Sequence, residues 1–277
     1  MTSSRARTDA HIHLFRDGFV EGGRDELAWY EELRATAGVT AALVVGYEGT
    51  ARFAGNNAHI LALSRELDWV RPTAFVDVSA PPTAAALRRM REDGFVGWSV
   101  YLPDEGPSLS DWSTDQLAAL SGGILSVNAT PSALDRARTA LAAITETRVL
   151  VSHLGLPGST ARDADAATAR DLLGPLLALA PLAHITVKLS GLYAIDPGYP
   201  HLGARATVDA VFETFSADRI AWGSDFSPVL SEVAPDDAMV APSWILTGLS
   251  PSETDAILGG TLLRHLAYVD SIGGTDA

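Results

Sequence analysis

The 277-residue chain contains no cysteine, which removes disulfides, thiolate metal sites and a cysteine nucleophile together. Any metal must therefore be held by His, Asp or Glu. Basic residues are also scarce: 20 Lys and Arg stand against 34 Asp and Glu, a formal charge of −14. A field of that sign repels phosphate backbones and anionic lipid, so neither nucleic acid nor a membrane surface is an expected partner. Long apolar runs are missing too. The most apolar stretch, LLGPLLALAPLA at 172–183, is too short to cross a bilayer and is interrupted by glycine and two prolines. The N-terminal MTSSRAR lacks the apolar segment of a secretory signal. These features describe a cytoplasmic protein acting on a small molecule, with homo-oligomerisation left open.

What the chain does have is a large apolar fraction, 47%, enough to bury one sizeable core. Short β-prone runs recur along it: RTDAHIH (7–13), TAALVVGY (40–47), RPTAFVDV (71–78), FVGWSVYL (95–102), GILSVNA (123–129), RVLVSH (148–153), ITVKLSG (185–191) and RIAWGSD (219–225). Between them lie segments with helical spacing. In TPSALDRARTALAAITET, Thr130 reads as an N-cap, Pro131 as the first helical residue, and Leu134, Ala137, Leu141 and Ile144 as one apolar face. NNAHILALSREL, PTAAALRRMRED and SETDAILGGTLLRHL are further helical candidates.

Strands alternating with helices imply parallel pairing through right-handed crossovers. Eight such units, in a chain close to the ~250 residues typical of the architecture, predict a closed (β/α)8 TIM barrel occupying 1–277 as a single domain. An open doubly wound sheet is the alternative, but no GxGxxG or Walker-type loop follows any strand. The longest irregular pieces, PDEGPSLSDW and YAIDPGYPHLG, begin where strands four and seven end, at the face where barrels carry their chemistry.

Ionisable residues concentrate at those strand ends. Strand one ends in His11 and His13, strand six in His153 and strand eight in Asp225. Residues two apart in a strand share a side and lie about 6.6 Å apart, so two inward imidazoles can converge on one ion or one substrate oxygen. Barrel closure makes strands eight and one neighbours, which brings Asp225 to the histidine pair. Each feature alone has an ordinary structural explanation, a hydrogen-bonded histidine or a capping aspartate; it is their joint placement that points to a site.

Lys188, inside strand seven, is expected to face the polar mouth, because an unpaired ammonium buried among helices is costly. It would orient Asp225 or the substrate, or else serve only as a buried ion pair. Ser190 shares its side. Asp77 and Tyr101, closing strands three and four, are candidate substrate contacts. Trp98, Trp112 and Trp222 read as packing residues, although an aromatic wall would suit a sugar or cyclic ester. His59, His184, His201 and His265 read as structural.

The set DAHIHLF, NNAHILAL, VSHLGLPG, VKLSGLY and WGSDFSP, in that order along nearly the whole chain, resembles the amidohydrolase superfamily and, within it, the amidohydrolase-related branch of sugar lactonases, pyrone dicarboxylate lactonases and non-oxidative decarboxylases. The closing ILGGTLLRHL falls where such proteins often read GN-A-x-R-L-Y. The resemblance implies that His11, His13, His153 and Asp225 surround the reacting carbonyl, with Asp225 as the acid/base group. The fourth strand end offers Tyr101 and Asp104 but no lysine or glutamate, which excludes a two-metal site with a bridging carboxylated lysine. Asn128 stands where metal-dependent relatives often have another histidine. What remains is a mononuclear site of His11, His13, His153 and Asp225, suited to one divalent ion, Zn2+ first, or a metal-independent layout of the kind some lactonases of the branch use. The fourth strand also lacks the arginine such relatives use to grip a substrate carboxylate. The resulting expectation is a hydrolase that opens a lactone or similar small carbonyl compound. The alternatives are a metal-dependent decarboxylase of an unsaturated or aromatic acid, and a barrel that binds without catalysis.

Overall fold

A computed structural model describes residues 6–20 and 23–273 of the chain. Eight strands pair in parallel in sequence order: β1 (Arg7–Ile12), β2 (Val39–Val45), β3 (Val70–Phe75), β4 (Gly97–Leu102), β5 (Ile124–Ala129), β6 (Arg148–Val151), β7 (Ile185–Leu189) and β8 (Ile220–Trp222). Every expected strand is present, six of them one to three residues shorter at the C-terminal end, where the chain turns into loops at the mouth.

The sheet closes through a narrow seam between its first and last members. Ile12 bridges Phe226, the Asp225 amide donates to the His11 carbonyl at 2.8 Å, and the His13 amide donates to the Phe226 carbonyl. Gly223 permits the approach: a Cβ there would stand 2.8 Å from the His11 amide nitrogen. The fold is therefore a TIM barrel, and its closure is made by the residues flanking the candidate site.

Helices cover the outside. α1 (Glu26–Ala37), α2 (Asn56–Glu66), α3 (Ala84–Asp93), α4 (Thr114–Ala118) and α5 (Pro131–Ala143) follow the first five strands. In α5 the Thr130 side chain accepts from the Ala133 amide and Pro131 opens the helix, while Leu134, Ala137 and Leu141 are fully buried. Near the C-terminus, Pro251–Asp255 and Thr261–Gly273 are helical, joined by one π-helical turn at Ala256–Gly260. No helix among the described residues is long and apolar enough to cross a membrane.

Candidate active site

Two strand-end residues sit in a backbone conformation that side chains rarely adopt: His153 has φ of 54° and Asp225 of 62°. Such residues persist only where their surroundings over-determine them, and they concentrate at functional sites. Here both turn their side chains onto the β1 histidines. Asp225 Oδ1 lies 3.6 Å from His11 Nε2 and 4.0 Å from His13 Nε2; its Oδ2 lies 3.9 Å from His153 Nδ1 and accepts from the Tyr193 hydroxyl at 2.6 Å. All four residues are buried.

The hydrogen bonds settle the proton positions. His13 Nδ1 lies 2.7 Å from the Val45 carbonyl, which can only accept, so Nδ1 carries the hydrogen and Nε2 presents a lone pair. His11 Nε2, 3.2 Å away, donates into that lone pair, which leaves His11 Nδ1 to accept from Lys188 Nζ at 3.3 Å. Burial holds all three imidazoles neutral: His13 falls to about 4, His153 to about 3, and His11 well below its ordinary value. Burial works the other way on the acid, pushing Asp225 up to about 6 against the lowering pull of His13, Tyr193 and Lys188. At neutral pH Asp225 is mostly ionised yet easily protonated, a suitable state for a group that must take a proton and return it.

A cavity of about 440 Å³ opens above this cluster, with His13, His153 and Asp225 at its base. Tyr101, half-buried, is part of its lining. The other expected contacts fall elsewhere. Asp77 is exposed, because β3 ends at Phe75 and the chain then turns outward; its carboxylate caps its own turn, accepting from the Ser79 amide and hydroxyl at 2.8 and 2.7 Å. Ser190 stands behind His153, its hydroxyl 3.0 Å from Nδ1, and so positions the imidazole. Lys188 does not reach the cavity either. It crosses the barrel interior from β7 to Ser126 on β5, at 2.7 Å, and to His11 on β1, fully buried, with burial lowering it to about 7. Lys188 lies deep because in a barrel strand only the last inward residue reaches the mouth, and those before it form the layer beneath.

Several residues that shape the site escaped the sequence reading. Asp9 accepts from the amides of His11 and Ser224, at 3.2 and 2.9 Å, and from the Tyr30 hydroxyl at 3.1 Å, tying β1 to the segment after β8. Its position two before His11 was the available clue. Glu26 accepts from the amides of Phe15 and Phe19 and from the Ser227 hydroxyl, joining the loops that follow both strands. The aromatic wall is built by Phe15, Phe19, Tyr47, Phe53 and Tyr101 and contains none of the tryptophans.

A shell with metal–ligand distances near 2.0–2.2 Å places its ligand atoms roughly 3.3–3.6 Å apart. His11 Nε2 lies 3.2 Å from His13 Nε2 and 3.6 Å from Asp225 Oδ1, close to that shell, with His13 Nε2 and Asp225 Oδ1 wider at 4.0 Å, and one atom each from His11, His153 and Asp225 lie within 4.8 Å of one another. His13 already presents its lone pair; His11 can do so once its proton shifts to Nδ1 opposite a neutral Lys188. The residues fit one divalent cation.

The family model described as Amidohydrolase matches residues 8–264, and the chain belongs to that family. It is 30% identical over 128 residues to the L-fucono-1,5-lactonase of Burkholderia multivorans, a match spanning 43% of each protein, so less than half of that lactonase's length is covered. Among solved structures it is similar to an amidohydrolase from Burkholderia multivorans with bound HEPES, at 21% identity and TM-score 0.76 over 95% of this chain and 99% of that one. A zinc-bound structure of an amidohydrolase from Burkholderia multivorans gives 20% and 0.74 over 95% and 99%. A candidate 2-pyrone-4,6-dicarboxylic acid hydrolase from Pseudomonas putida gives 19% and 0.75 over 95% and 98%. At these identities the structural likeness establishes the fold.

Proposed function

We propose that the protein hydrolyses a lactone, with Asp225 as general base and then general acid. The observation that carries this reading is the placement of Asp225: a buried carboxylate held by Tyr193, raised to about 6, at the base of a cavity beside three neutral imidazoles. The family membership and the partial match to a lactonase support the same reaction class.

In this reading the lactone carbonyl enters above His13 and His153. Asp225 takes a proton from a water molecule as that water attacks the carbonyl carbon. The tetrahedral intermediate then collapses by breaking the ring C–O bond, and Asp225 gives its proton to the departing alkoxide, which becomes the free hydroxyl of the ring-opened acid. His11, His13, His153 and Asp225 would hold a divalent cation, zinc by donor chemistry, and the zinc-bound relative supports that choice. Such an ion supplies Lewis-acid polarisation of the carbonyl and stabilisation of the oxyanion. Lys188 and Ser190 act through His11 and His153, as positioning residues.

Decarboxylation is the weaker reading because the cavity offers an incoming carboxylate no lysine or arginine among the described residues. Mass analysis of products from a mixed panel of lactones and unsaturated acids separates the two. A product heavier than its parent by one water supports ring opening; a product lighter by CO2 overturns it.

A further inference from the structure

The cavity walls bear on which lactone fits. From the site imidazole of His13 a run of rings climbs one side: Phe15 stacks on His13 at 5.5 Å with planes 8° apart, and Phe53 stacks on Phe15 at 4.1 Å. Phe19 lies parallel to Phe53 at 6.2 Å, and Tyr47 joins Phe53 to Tyr101 at 5.7 and 4.7 Å. Phe19 and Phe53 are only half-buried and both line the cavity, with the Arg52 guanidinium 5.4 Å over the Phe53 ring. Offset stacking on such faces favours a flat apolar ring.

Charge narrows the class further. No lysine or arginine lines the cavity among the described residues, and the one cation beneath it, Lys188, is sealed behind His11. A carboxylate entering this space would meet the Asp225 carboxylate and no lysine or arginine among the lining residues. A polyhydroxylated ring fares little better, since each buried hydroxyl left without a partner is costly and the upper wall is largely aromatic. Thr50, Asn128 and the tyrosine hydroxyls are the polar groups there.

Resting on the ring-opening reading above, we infer that the substrate is an uncharged lactone bearing an aromatic or similarly flat apolar ring, stacked on the Phe15–Phe53 wall. Polyhydroxylated and dicarboxylated lactones are then poor substrates. The wall selects the substrate, and Asp225 opens it.

The test compares dihydrocoumarin, δ-gluconolactone and 2-pyrone-4,6-dicarboxylate, each normalised to its rate with hydroxide. Dihydrocoumarin is expected to lead in kcat/KM by about tenfold or more. Phe53→Ala, with Phe53→Leu as the variant that preserves bulk should alanine unfold the loop, is expected to cost dihydrocoumarin about tenfold more than it costs δ-valerolactone, which carries no aromatic ring. Calorimetric binding of the inert lactam 3,4-dihydroquinolin-2-one reads the cavity without any turnover. Preference for the sugar or dicarboxylate lactone, with turnover lost in Asp225→Asn, overturns the substrate inference and leaves ring opening intact. Lactam binding that Phe53→Leu weakens, with no lactone turned over, upholds the wall and overturns the hydrolytic reading. Absence of lactam binding overturns the inference.

Discussion

The Tyr193 hydroxyl donates to Oδ2 of Asp225 at 2.6 Å, which fixes the carboxylate so that Oδ1 faces the His11 and His13 imidazoles. A hydrogen bond to a charged group contributes about 1.5–3 kcal/mol. Turnover should rise with pH through about 6 as Asp225 ionises. In Tyr193→Phe that limb is expected to move upward by about one unit or more, with kcat reduced about twofold or more at neutral pH. A pH–rate profile of the two proteins checks both effects; an unmoved limb would contradict the role given to Tyr193.

Gly191 is the second fixed point. With φ of 63°, it passes so close to His153 that a Cβ would stand 2.4 Å from Nδ1. Gly191→Ala therefore combines left-handed strain with a clash against a site imidazole. The expected cost is about 2 kcal/mol or more in denaturant unfolding, together with a fall in kcat. Unchanged values of both would show that the segment relaxes freely.

Zinc binding should follow the donor geometry. One equivalent is expected on titration against a chromophoric chelator, with His11→Ala and His13→Ala each weakening affinity at least about tenfold. Protons should be released on loading, because the His11 hydrogen can move to Nδ1 only opposite a neutral Lys188, whose ammonium must give up a proton. Failure of the protein to compete with the chelator would leave only the metal-independent form of the mechanism.

Stability of the metal-free protein should fall in acid. His13 and His153 have folded values of about 4 and 3 against an ordinary 6.5, so the unfolded chain binds more protons across that interval and their contribution is lost as pH drops. Asp225, raised to about 6 from 3.8, works in the opposite sense: its contribution is present at low pH and lost as pH rises through 6. The histidine contribution is the larger. Thermal unfolding is expected at lower temperature at about pH 4.5 than at about pH 6.5, and the drop should be steeper in Asp225→Asn, where the opposing group is gone.

Much of this arrangement was legible in the chain. β-branched runs separated by capped helical segments gave all eight strands, and β5 and α5 fall at their expected places because Thr130 and Pro131 mark the boundary locally. The convergence of His11, His13, His153 and Asp225 followed from strand order and closure. What could not be read were contacts with no local signature. Glu26 looks like an ordinary first-turn acid of α1, yet it serves loops after β1 and β8. Tyr193 and Phe53 sit in 3-10 turns whose direction depends on the packed barrel, and Asp77 follows a strand that ends three residues earlier than its pattern suggests.

The most direct measurement is proton release on ring opening of the best lactone, followed with a pH indicator, for wild type and Asp225→Asn side by side, with folding of the variant verified by thermal unfolding. Loss of a general base that also serves as acid should lower kcat by about 10²–10⁴-fold while the variant stays folded. A folded Asp225→Asn protein that keeps turnover within about tenfold of wild type would contradict the mechanism.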